Sequence, residues 1–311
     1  MIKEFAIEPE VMATWQYFRE LWPQLGAARG RFVAEYPPDW RNRVCQLAYE
    51  VSSVKAASIA ARLKPPPGTT IARCWIPTNR PYDKGKDWLS NAERHQPPND
   101  FYAIIACKNP RDLRPVLVAG EFNQDQPPWK IPTQCENPRT AKNLLGCAKL
   151  LLDHSDEIML VDRNFDPLKR SFLDPLAAWL QSRPPNRSWK RCELHLGHPL
   201  RNGNPDKGVL ANHQHLLKHR LAGLIPKGTT LQVFHWLGRP DGKRLHPRFI
   251  LTERGGLQYD YGLDEGDGPG DTTIVTLMDH DLWQTVRADY CCPSPCFDIT
   301  HDCIIPITGC A

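Results

Sequence analysis

Within its C-terminal half the chain sets an imidazole, a guanidinium and a carboxylate at fixed steps: His246, then Arg248, then Glu253. Side chains of a β-strand alternate between two faces, so a strand here turns His246 and Arg248 the same way. Ile250 and Thr252 continue that row, Phe249 and Leu251 join the core on the other face, and Glu253 falls at the strand's end. These groups suit cleavage of a phosphodiester. An imidazole attacks phosphorus, a cation holds the non-bridging oxygens, and a carboxylate orients the ring. A second histidine protonates the leaving oxygen, and no metal is needed. The plainer alternative is an ordinary strand-start histidine beside a surface arginine.

The run His246, Pro247, Arg248 and, five positions on, Glu253 resembles the phospholipase D superfamily, whose pattern is His-x-Lys-x-x-x-x-Asp. Arginine stands for lysine, a planar fork in place of a mobile point charge, and glutamate stands for aspartate. Gly255-Gly256 and the Tyr-Gly-Leu-Asp-Glu-Gly run at 261–266 resemble a branch of phospholipase D-like domains. Those domains lie at the ends of microtubule-interacting and trafficking proteins, and they bind rather than cut. The resemblance is confined to the C-terminal half. It implies an α/β domain with a mixed sheet flanked by helices, in which His246, Arg248 and Glu253 are catalytic and Asp162, Arg163 and Asp264 contact substrate. The implied activity is a metal-independent phosphodiesterase, a nuclease of a bacterial defence or mobile-element system, working without a cofactor. The superfamily uses two motifs, and this chain has one good copy. Either a homodimer pairs two His246 residues across a two-fold axis, or Asp162 and Arg163 complete the pocket within one chain. The degenerate motif equally implies an inactive module that binds nucleic acid, anionic lipid or a protein.

Other groups carry weaker signals. His215 and His219, four apart on an expected helix, share a face, but no acidic residue lies between them as a metalloprotease helix requires, so they read as a polar face. Asp264, Glu265, Asp267 and Asp271 form an acidic, glycine-rich stretch without calcium-loop order and read as a turn. Five of the 11 cysteines, Cys291, Cys292, Cys296, Cys303 and Cys310, crowd the C-terminus around His301 without paired C-x-x-C spacing, which favours a tail of thiols over a zinc site. No Gly-Lys-Ser/Thr phosphate loop and no Gly-x-Ser-x-Gly elbow occurs.

Positioning falls to the elements around these residues. From residue 157 strand-like and helix-like runs alternate: strand 157–162, helix 171–181, strand 190–196, helix 207–224, strand 229–236. Then come strands at 245–252, 256–261 and 272–278 and a helix at 279–290, an order that predicts a largely parallel α/β layer closed by a hairpin-like portion. A helix at 137–154 starts with an asparagine cap and a proline. The first 64 residues read as helical, with Val11, Trp15, Phe18 and Trp22 on one face and a second helix over 39–63. Short strands are expected at 70–76, 101–107 and 116–122. The expected organisation is therefore a helical and α+β region over 1–136, the α/β domain over 137–290 and a cysteine-rich tail over 291–311.

Composition bounds the rest. Hydrophobic residues at 41% and charged residues at 24% allow a sizeable core in a chain of 311 residues. The net charge of +4 implies no partner by itself, but nine lysines and arginines with five histidines between Lys207 and Arg254 would make a basic surface for nucleic acid. The N-terminal region is the expected seat of any protein partner. No apolar run is long enough for a membrane span, the N-terminus lacks a secretory pattern, and the scattered cysteines suit a reducing compartment, so the expected location is cytoplasmic.

Overall fold

The structure, a computed structural model, describes residues 1–64, 74–95, 97–123, 125–183 and 187–310. It is a mixed α/β protein of two compact units that divide after Pro132.

In the N-terminal unit, β1 (Lys3–Ile7), β2 (Arg31–Glu35), β3 (Trp75–Pro77), β4 (Ala103–Ala106) and β5 (Val116–Val118) pair in the order β3-β2-β1-β4-β5, every neighbour parallel. Parallel sheets are covered on both faces and read as continuous apolar runs. Phe5, Ile7, Val33, Ala103 and Ile105 point into a core with α1 (Pro9–Ala13), α2 (Trp15–Leu21), α3 (Trp40–Val51) and α4 (Ser53–Leu63). Ala6, Ala34, Ile104 and Ala106, one step out of phase, meet α5 (Trp88–Glu93) on the other side. The expectation of a helical first 64 residues therefore fails at β1 and β2, whose flanking charges Lys3, Glu4, Arg31 and Glu35 hide short buried centres. Of the strand expected at 70–76, residues 70–73 lie outside the described residues.

The C-terminal unit is built on β6 (Gln134–Pro138), α6 (Ala141–Asp153), β7 (Glu157–Val161), α7 (Arg170–Leu180), β8 (Arg191–Gly197), a small hairpin of β9 (Leu200–Arg201) and β10 (Asn204–Pro205), and α8 (Lys207–Leu221). It continues through β11 (Thr230–Gly238), β12 (Arg248–Leu251), β13 (Gly256–Tyr259), β14 (Thr272–Leu277), α9 (His280–Asp289), β15 (Phe297–Asp298) and β16 (Ile304–Thr308). Among the described residues the sheet order is β15-β11-β8-β7-β12-β13-β14-β6, with β16 also on β11. Only β7, β8 and β11 run parallel, and from β12 onward the sheet is antiparallel. Met159, Val161, Phe249 and Leu251 pack against Trp283 and Val286 of α9, while Ile158, Leu160 and Ile250 are buried on the opposite face.

Two boundaries differ from expectation. Asn137 and Pro138 are not the start of α6 but strand residues paired with β14, and Thr140 caps the helix by accepting the Asn143 N–H at 3.3 Å. A proline is tolerated there because β6 is an edge strand. The cysteine-rich C-terminus is part of the sheet: β16 pairs along Thr230–Phe234 of β11, and Cys303 is buried.

Candidate functional site

Several loops of the C-terminal unit meet at one edge of its sheet. Residues 162–169 follow β7 and residues 198–199 follow β8. The segment 239–247 leaves β11 and enters β12; since β8 and β7 lie between those strands, it must cross the carboxyl ends of both. The loop 260–271 after β13 emerges at the same end, because β13 is antiparallel to β12 and β12 is antiparallel to β7. In open α/β sheets this end is where ligands bind.

Asp162, one position past β7, is 1% exposed. Its Oδ1 accepts the Asn164 N–H at 2.9 Å and its Oδ2 the Leu263 N–H at 3.0 Å. Burial pushes its carboxyl above the ordinary value, against the pull of those two donors and of Arg248. Arg248 opens β12 and brings its Nε to 3.9 Å from Asp162 Oδ1. That Nε is buried without a hydrogen-bond partner, and the Arg248 side chain makes no hydrogen bond among the described residues. Asp264 belongs to the same end of the sheet but is taken up by Arg139, whose guanidinium lies 2.7 Å from Asp264 Oδ1 and over the Tyr261 ring. The rest of the acidic stretch folds onto itself as a turn: Asp271 Oδ2 accepts the Asp267 and Gly268 N–H groups, and Glu265 accepts the Ala141 N–H at the start of α6.

The expected triad is not assembled. His246 precedes β12, exposed, in a turn where its N–H donates to the Arg244 carbonyl at 2.9 Å. Glu253 follows β12 at the opposite end of the sheet. Its two carboxylate oxygens accept the Asp156 N–H at 2.9 Å and the Glu157 N–H at 3.1 Å, at the start of β7. Seven residues of extended chain span roughly 23 Å, so Glu253 cannot orient His246.

Beside this cluster lies a crevice of about 350 Å³ lined by Arg163, Gly197, His198, Arg239, Lys243 and Arg244, with no carboxylate in its wall among the described residues; Gly197 and His198 were missed from the sequence. Arg239 is paired with Asp298 at 2.8 Å, and Lys243 with Asp289 at 2.7 Å, a hydrogen bond that pushes the lysine up. Arg163 and Arg244 have neither a side-chain hydrogen bond nor an ion pair among the described residues. Gly197 makes room for Arg163, since a Cβ there would sit 2.9 Å from Arg163 Cγ. The His198 Nδ1 lies 2.7 Å from the Pro199 carbonyl. A carbonyl only accepts, so Nδ1 holds a proton. The signal that would have found this wall is a Gly-His pair directly after an expected parallel strand.

His215 and His219 are exposed on α8, and among the described residues no group of three or more His, Cys, Asp or Glu side chains is placed to hold a metal ion. Nor is any described helix long and apolar enough to cross a membrane.

No family model matches the sequence. No curated protein matches it either. Among solved structures the chain is similar to TrmBL2, an archaeal chromatin protein described as showing a novel mode of DNA binding, at 13% identity and a TM-score of 0.25. The likeness spans 51% of this chain and 50% of that one, and at that score it carries no argument.

Proposed function

We propose that the C-terminal unit is a phospholipase D-like module that binds the phosphodiester backbone of nucleic acid without cutting it. The observation that carries this reading is the crevice at the carboxyl ends of β7, β8 and β11, with Arg163 and Arg244 unspent and no carboxylate in its wall among the described residues. A cation without a counter-charge is favourable ground for phosphate, and the guanidinium fork matches phosphate oxygens. The neighbouring Arg248 is set against Asp162 at 3.9 Å and so carries its own counter-charge, which leaves Arg163 and Arg244 as the cations on offer among the described residues. What favours binding over cutting is the separation of Glu253 from His246, which leaves the imidazole exposed and unoriented.

A cutting activity has one observation on its side. His198 presents an imidazole at the crevice with its tautomer fixed by Pro199, as an acid or base would need.

The test is fluorescence anisotropy with single- and double-stranded DNA and RNA, in chelator and over a salt series, alongside gels for cleavage. The expected outcome is binding without cleavage. The Arg163→Gln/Arg244→Gln double variant should weaken it at least about tenfold and lower the salt slope by roughly two, one for each phosphate that a guanidinium no longer neutralises. His246→Ala should bind like the wild type. Absence of binding, or preference for anionic vesicles over every oligonucleotide, would refute the proposal. Cleavage that disappears in His198→Ala or His246→Ala would replace it with the cutting one.

A further inference from the structure

The N-terminal unit has a cavity of its own, of about 380 Å³, between α2 and the chain that follows β5. It sits just past the carboxyl end of a parallel strand, as ligand sites of such sheets do. Its chemistry is opposite to that of the cationic crevice. Aromatic rings of Tyr17, Phe122 and Trp129 line it, and the polar groups on its wall are Glu20, Gln24 and Asn123, with no cation among them. A phosphate or carboxylate ligand is therefore disfavoured.

The polar groups are largely unspent. Among the described residues the Gln24 side chain and the Tyr17 hydroxyl make no hydrogen bond. Asn123 uses only its Oδ1, which accepts the Asp125 N–H at 3.0 Å. Among the described residues Glu20 has no ion pair and accepts one bond, from Gln16 Nε2 at 3.4 Å. The wall thus offers amide donors, amide and carboxylate acceptors, and flat apolar surface.

Two ligand chemistries fit aromatic walls with a carboxylate, and the details separate them. An ammonium ion would draw on the ring faces, but the Arg31 guanidinium already stands 4.1 Å from the centre of the Trp129 ring. It would also leave both amides idle. A planar heteroaromatic ring uses everything: stacking on Tyr17 or Phe122, a paired donor and acceptor for the Gln24 amide, and an N–H for Glu20. Phe122 and Trp129 meet at 53° with centroids 5.1 Å apart, so Trp129 closes the end of the pocket rather than doubling the stack. Gly120 lets the Tyr17 ring lie close against the backbone: its φ is +83°, and a Cβ there would meet that ring at 3.0 Å.

We propose that this pocket binds a purine ring, as a free nucleoside or as an unpaired base of a strand, with Gln24 reading the base edge and Phe122 and Tyr17 stacking it. The experiment is saturation-transfer NMR and calorimetry on the whole chain with adenosine, guanosine, cytidine, tetramethylammonium and a short adenine oligonucleotide. A purine nucleoside should bind with a dissociation constant on the order of 100 µM, as expected for a ligand of that size. Gln24→Leu and Phe122→Ala should each weaken it on the order of tenfold. Thermal melting checks that the variants fold, and Asn123→Ala, at an exposed position, serves if either does not. Adenosine alone, or the oligonucleotide alone with sensitivity to Gln24→Leu, identifies the source. No purine binding, binding indifferent to the pocket variants, or a preference for tetramethylammonium overturns the assignment.

Discussion

Both carboxylate oxygens of Glu253 are engaged by backbone N–H groups, those of Asp156 and Glu157, where β7 begins. Its neighbour Asp156 is held down to about 2: burial opposes ionisation, but Lys190, Arg183 and Arg187 all donate to the carboxylate. This is a brace at the far end of the sheet from the crevice. Glu253→Ala should therefore cost roughly 2–3 kcal/mol of stability, the worth of charge-assisted hydrogen bonds in a partly exposed setting. Oligonucleotide affinity should stay within about twofold, since the change takes no cation away from the crevice. Urea unfolding and anisotropy on the same preparation check both halves. A variant of wild-type stability that no longer binds would restore Glu253 to the site. At this scale the sequence made the cations legible and the carboxylate misleading. A period of two tells which face a side chain takes, yet seven positions of strand carry the last residue to the other end. The strand end that carries Asp162 and Arg163 was legible from the apolar run before it. His198 was overlooked, although a Gly-His pair directly follows the expected strand, because its place in the wall depends on the segment 239–247 crossing that strand's end.

The elements around the crevice contain a pair of imidazoles that constrains their own protonation. His213 on α8 and His235 on β11 lie 3.1 Å apart, Nδ1 to Nε2, and His235 Nδ1 faces the Cys303 carbonyl at 3.3 Å. The carbonyl must accept, so His235 donates from Nδ1 and accepts from His213 at Nε2. Protonating His235 breaks that bond, and burial, with His213 and His198 nearby, pushes it down to about 4. Burial also pushes His213 down. A histidine kept neutral in the fold stabilises it fully above the ordinary imidazole value and loses that contribution as pH falls, since the unfolded chain takes up the proton first. For His235 the window is from about 6.5 to about 4, and the loss is at most roughly 3 kcal/mol. The thermal midpoint should fall on acidification from pH 7.5 to 5, with a shallower fall in His235→Asn; an equal fall in both would remove this pair as the cause. Elements such as α7, β7, β8 and β11 were legible because apolar periodicity changes cleanly between them. Others were not: β6 is an exposed edge strand with little apolar pattern, and β16 carries Pro306, tolerated only because its partner lies on one side.

Strand order lies beyond local pattern, and here it divides the molecule into two architectures. The N-terminal sheet is wholly parallel, with β1 at its centre and helices on both faces, and its apolar residues form cores of their own. The C-terminal sheet is mixed, and its core on the α9 face draws only on residues from Met159 onward. A unit with its own core and its own sheet has what independent folding requires. The cationic crevice and the aromatic pocket are each lined within one unit, so neither site depends on residues of the other. Dividing the chain between Pro132 and Thr133 should then give two pieces that each unfold cooperatively, measured by circular dichroism against urea. Phosphate-dependent oligonucleotide binding should follow the C-terminal piece, and purine binding the N-terminal one. A piece that folds but loses its ligand would show that the other unit completes the site. A piece that does not fold alone would show that its core needs the rest of the chain.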